Sequence, residues 1–112
     1  MKKLRVALLG AGFMGRAHSN AYRQAPFFFS LPYELEMAVL CARDRARLDA
    51  AAAQWGWREV ATDWRTVIAR PDIDIVDIAL PNSHHSEIAI AAAEAGKIVF
   101  VEKPLAATLP DA

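Results

Sequence analysis

An apolar run, Leu4-Arg5-Val6-Ala7-Leu8-Leu9, passes through Gly10-Ala11-Gly12-Phe13-Met14-Gly15 into a stretch that is free of glycine and proline as far as Gln24. This order of strand, spaced glycines and helix constrains the fold more than any other feature of the chain. A nearly continuous apolar strand belongs in a parallel sheet that is covered on both faces. Each glycine then has its own task. Gly10 permits a tight turn, Gly12 leaves the backbone bare where an anionic group must approach it, and Gly15 lets the helix pack closely. The first N–H groups of that helix lack intrahelical partners and lie at the positive end of its dipole, so a pyrophosphate is the expected ligand. In this strand-to-helix context the glycines read as the dinucleotide-binding turn of a Rossmann domain, with Gly10, Gly12, Phe13, Met14 and Gly15 as cofactor-binding candidates.

The rest of the chain repeats the alternation. Four apolar, β-branched-rich runs alternate with helical patterns, which predicts an α/β fold: a doubly wound, mostly parallel Rossmann sheet. The first strand is expected over Leu4 to Leu9 and a helix over Phe13 to Gln24. Pro26 and Pro32 frame Phe27-Phe28-Phe29 and are expected to preclude a continuous helix there. A second strand is expected over Leu35 to Cys41, then an alanine-rich helix capped by Asp44 and ending near Gly56, with Trp55 and Trp57 packed nearby. A helix from about Asp63 to before Pro71, a strand from Ile73 to Leu80, a helix from Ser86 to Ala95 closed by Gly96, and a strand from Ile98 to Val101 complete the pattern.

With 112 residues the chain has room for one domain. Its 13 basic and 13 acidic residues balance, which argues against a nucleic-acid partner. Met1-Lys2-Lys3 before Val6 to Leu9 has the order of a signal peptide, but the glycines interrupt it too early, and no later run approaches a membrane span. A cytoplasmic protein is expected. One cysteine, Cys41, excludes an intrachain disulfide. No carboxylates or histidines show metal-ligand spacing. Thr108-Leu109-Pro110-Asp111-Ala112 has the look of another helix beginning, so a fragment truncated before a C-terminal substrate domain is expected.

At the end of the second strand, where an acid would hold the ribose hydroxyls of NAD, stands Ala42, followed by Arg43. A guanidinium there can pair with the 2′-phosphate of NADP and stack on adenine, which inclines the choice between NADP and NAD toward NADP. At the end of the last strand stands Glu102-Lys103-Pro104. Together with Gly10 to Gly15, Pro81-Asn82-Ser83-His84-His85 and Ala95-Gly96-Lys97, it makes the whole chain resemble the N-terminal domain of the Gfo/Idh/MocA oxidoreductases.

That resemblance implies a dehydrogenase in full-length form, with Lys103 beside nicotinamide and substrate hydroxyl as the catalytic residue and Glu102 orienting the site. It also implies that Pro81 and Asn82 pass near the nicotinamide ribose and that His85 matches a recurrent histidine. His18, three residues past the glycines, is placed either to line the cofactor or to brace the turn. Ala17 to Tyr22 and Phe27-Phe28-Phe29 are similar to members that act on sugars and cyclic polyols. The family further implies a homo-oligomer formed through a second domain, and an isolated 112-residue chain that turns over nothing. A non-catalytic NAD(P)H sensor or binding module is the alternative, since it would need the glycine turn but not Lys103.

Overall fold

The computed structural model describes residues 2–28, 30, 32–80 and 85–101. Its elements are β1 (Lys2–Leu9), α1 (Phe13–Phe28), β2 (Tyr33–Cys41), α2 (Arg45–Trp55), β3 (Glu59–Ala61), α3 (Trp64–Ile68), β4 (Ile75–Ile78), α4 (His85–Glu94) and β5 (Ile98–Val101). The strands form one parallel sheet in the order β3-β2-β1-β4-β5. β1 is therefore central, and its last four residues are fully buried.

The core divides by strand alternation. Ala7 and Leu9 face one cluster, built with Val67 and Ile68 of α3 and Ile88 and Ala92 of α4. Val6 and Leu8 face the other, built with Leu48, Ala51 and Ala52 of α2, Trp57, and Tyr22 of α1. Helices thus cover both faces, which is why β1 needs apolar side chains at consecutive positions. Val6 pairs with Met37 and Ala7 with Val39, so Ala38 is an extra residue in β2. This bulge places Ala38 and Val39 in the same cluster, against the usual alternation.

Local signals set the helix ends. The Asp44 side chain accepts from Arg47 N and caps α2, while Gly56 closes it at φ 88°. Asp63 accepts from Arg65 N at the start of α3, and Gly96 follows α4 at φ 79°. Three expectations fail. α1 does not stop at Gln24 but continues through Pro26 to Phe28. Pro26 lies in the last turn, where its missing N–H costs one backbone bond and little helix remains to be disrupted. The sheet also has a fifth strand: β3, three residues long, carries too little apolar pattern to be read alone and is recruited by pairing with Val39 to Cys41. β4 is shorter than expected, Ile75–Ile78.

Candidate active site

The C-terminal ends of β1, β2 and β4 meet around the glycine turn. Gly10 has φ 120°, and a Cβ there would strike the Ala79 carbonyl at the exit of β4. Its N–H donates to Cys41 O at 2.8 Å, which ties the turn to the end of β2. A Cβ on Gly15 would meet the Gly10 carbonyl, so this glycine brings α1 against the turn itself. At Gly12 nothing lies within 4 Å of a built Cβ. The first helical bond of α1 runs from Arg16 N to Gly12 O at 3.0 Å, so the N–H groups of Phe13, Met14 and Gly15 precede the helical ladder. Open space at Gly12 beside a helix start is the seat a pyrophosphate requires, and the residues present fit such a group.

Beside this seat lies a cavity of about 400 Å³, lined by Gly10 to Gly12, by Cys41 to Asp44 with Arg47 and Leu48, by Thr62 to Arg65, and by Leu80 and Ile88. Its wall holds three guanidiniums, Arg43, Arg47 and Arg65, and two carboxylates, Asp44 and Asp63, which serve as helix caps. The Arg65 guanidinium also lies 4.5 Å from the centre of the Trp64 ring. Burial, reinforced by the Asp63 charge, pushes the Cys41 thiol up to about 11, so it stays protonated and unreactive at neutral pH.

Ala42 and Arg43 thus line the cavity together with Gly10 and Gly12. Phe13, 82% exposed, sends its side chain to the other side of α1, beside Arg16 and Trp55. Of Phe13 and Met14 it is the backbone that faces the seat, since neither side chain lines the cavity. His85 is fully buried, with Nε2 2.6 Å from Leu80 O. A carbonyl only accepts, so Nε2 carries the proton and joins the end of β4 to the start of α4. Pro81, Asn82, Ser83, His84, Glu102, Lys103 and Pro104 lie outside the described residues.

His18 braces the turn. Its Nδ1 is 2.8 Å from Asp77 Oδ2, and the Tyr22 hydroxyl donates to the same oxygen at 2.6 Å. Burial, with the Asp77 charge and hydrogen bond added, holds the Tyr22 phenol well above its usual range. On the same helix the Ser19 hydroxyl donates to Gly15 O at 2.7 Å and accepts from Trp57 Nε1 at 2.9 Å. Asp77 was missed as a site residue in the sequence. Its signal is a lone acid inside Ile75-Val76-Asp77-Ile78, a strand buried on both faces. Among the described residues no three His, Cys, Asp or Glu side chains converge as a metal set, and no helix is long and apolar enough to cross a membrane.

Residues 4–112 match the oxidoreductase family with an NAD-binding Rossmann fold, Gfo/Idh/MocA. The chain belongs to the Gfo/Idh/MocA oxidoreductase family. This member is 50% identical over 109 residues to levoglucosan dehydrogenase of Pseudarthrobacter phenanthrenivorans, covering 96% of this chain and 28% of that protein. It is 33% identical to the NAD-dependent scyllo-inositol 2-dehydrogenase of Bacillus subtilis, over 97% of this chain and 30% of that one. A levoglucosan dehydrogenase solved with NADH and L-sorbose superposes with a TM-score of 0.96 at 47% identity, over 99% of this chain and 30% of that one. The chain therefore spans under a third of the length of these relatives and corresponds to an NAD-binding Rossmann domain of an oxidoreductase.

Proposed function

We propose that this chain supplies the dinucleotide half of a dehydrogenase that oxidises a secondary alcohol of a sugar or cyclic polyol, or runs the reverse reduction. The observation that carries this reading is the open seat at Gly12 between the start of α1 and the cavity. The names of the relatives, levoglucosan and scyllo-inositol dehydrogenases, support the substrate class. A bound nicotinamide ring supplies a carbon that accepts or gives a hydride. The residues of the chain bind, orient and move a proton around it. Backbone N–H groups of 13–15 take the pyrophosphate, the His85 imidazole braces the end of β4, and by the family resemblance Pro81 and Asn82 serve the nicotinamide ribose. Lys103, oriented by Glu102, takes the hydroxyl proton on its neutral amine as the alcohol becomes a carbonyl. The remainder of such a protein would complete the substrate pocket and its oligomer contacts, and the 112-residue chain alone turns over nothing. Cytoplasmic residence belongs to the same reading.

The cofactor choice rests on opposing observations. Ala42 removes the expected ribose acid, and Arg43 with Arg47 lines the cavity with positive charge, which supports NADPH. The NADH in the solved levoglucosan dehydrogenases supports NADH. Between NADP and NAD, we propose a modest preference for NADP. Arg43→Ala then raises the Kd for NADPH by roughly tenfold, the worth of one charge-assisted hydrogen bond, and moves that for NADH little. An equal change for both, or a wild type that prefers NADH, rejects the inclination. In the full-length protein, Lys103→Met abolishes polyol-dependent reduction of the cofactor while leaving cofactor affinity in place. Unchanged turnover removes Lys103 from the mechanism, whereas a full-length wild type that binds cofactor and turns over no polyol favours the sensor reading.

A further inference from the structure

Asp77 is the one charged residue in the buried stretch of β4, 2% exposed and paired in register with Leu8 of β1. Its Oδ2 receives both His18 Nδ1 and the Tyr22 hydroxyl, and its Oδ1 has no partner among the described residues. A carboxylate in this position is a poor choice for stability alone, since an apolar side chain would fill the same space without a buried oxygen that lacks a partner among the described residues. What the carboxylate does achieve is directional. His18 and Tyr22 are four residues apart and so share one face of α1. Both converge on a single oxygen of β4, two residues before Ala79.

Ala79 is the residue whose carbonyl confines Gly10, and its N–H donates to Leu9 O at 2.8 Å. The end of β1, the glycine turn, α1, Asp77 and the exit of β4 thereby form a closed circuit of contacts. Ser19 and Trp57 also fasten α1, through the buried hydroxyl that binds Gly15 O, and the Trp57 ring meets the Tyr22 ring edge-on at 6.3 Å. Without the Asp77 contacts α1 keeps its apolar packing and the Ser19–Trp57 bond but loses its directional tie to β4.

We propose that Asp77 is a positioning residue for dinucleotide binding: through His18 and Tyr22 it fixes the height and rotation of α1 over β4, so that the N–H groups at the helix start stay aimed at the pyrophosphate. The proposal rests on the dinucleotide reading of the glycine turn. It assigns no contact between Asp77 and the cofactor.

The test is titration of NADH into the chain, with Tyr22→Phe, Asp77→Asn and, as a control, Ile73→Val, a buried substitution at the opposite end of β4 from the turn. Tyr22→Phe and Asp77→Asn are expected to raise the Kd for NADH by about tenfold, the usual worth of a hydrogen bond that holds a binding group in place. Ile73→Val, which also lowers the unfolding temperature, leaves Kd unchanged. In a Gly12→Ala background, where the pyrophosphate seat is already crowded, Asp77→Asn is expected to cost less than in the wild type, since both changes act on one contact. Full additivity would reduce Asp77 to a general stabiliser and overturn the proposal, as would equal Kd values for wild type and folded variants. If Asp77→Asn fails to fold, Tyr22→Phe, which removes one hydroxyl and no charge, decides the matter by the same criteria. A wild-type chain that does not bind NADH instead refutes the dinucleotide reading, and this inference with it.

Discussion

At the scale of single residues, the three glycines of the turn are not equivalent, and the difference lies in what surrounds each Cα. Gly10 combines a positive φ with the Ala79 carbonyl, whereas Gly12 has empty space where a side chain would be. Gly10→Ala is therefore expected to destabilise the fold by roughly 1–3 kcal/mol, from backbone strain and the clash together, while Gly12→Ala leaves the unfolding midpoint in place. Chemical denaturation of the two variants checks this, and equal loss from both would contradict the geometry. The tight turn at Gly10 was legible in the sequence, and the open space at Gly12 is what the expected bare backbone requires. The task of Gly15 is sharper in the structure, because its close neighbour is the turn and not the strand. Asp77 was not legible as a tether: its partners His18 and Tyr22 lie 59 and 55 residues away, and no local pattern links them.

At the scale of elements, β1 and β2 are tied by charge as well as by backbone. Glu36 of β2 accepts from Arg58 and lies 2.9 Å from Arg5 Nε and 3.9 Å from Lys3 Nζ of β1. Burial pushes its carboxyl up, but Arg58, Lys3 and Arg5 together outweigh that and hold it below the usual 4.5. A carboxyl whose folded pKa is depressed contributes stability that is present above its unfolded value and lost as pH falls through the folded one. The unfolding midpoint is thus expected to fall on acidification below about pH 4.5, and less steeply in Glu36→Gln. Identical pH profiles by thermal melting would contradict this. The elements bounded by strong chemistry, α2 between Asp44 and Gly56 above all, stand where the sequence placed them. β3, which owes its existence to tertiary contact, and the last turn of α1, which Pro26 does not break, do not. Local propensity carries no information about a strand that forms because β2 offers it an edge.

At the scale of the whole molecule, five parallel strands and the helices on both faces place every described feature of the site at the C-terminal ends of the strands: the glycine turn, the arginine-lined cavity beyond β2 and β3, and the exit of β4. Ligands of open α/β sheets collect at those ends because helix starts and strand ends meet there. The family and the glycine turn make a nicotinamide dinucleotide the ligand expected there. The direct test is calorimetric titration of NADH into the 112-residue chain and into Gly12→Val. The account predicts saturable one-to-one binding by the wild type, and a Kd raised about tenfold or more in Gly12→Val at an unchanged unfolding midpoint, because the side chain enters the pyrophosphate seat at a position where a Cβ meets nothing within 4 Å. Equal affinity in the two proteins, or no binding by the folded wild type, would contradict it.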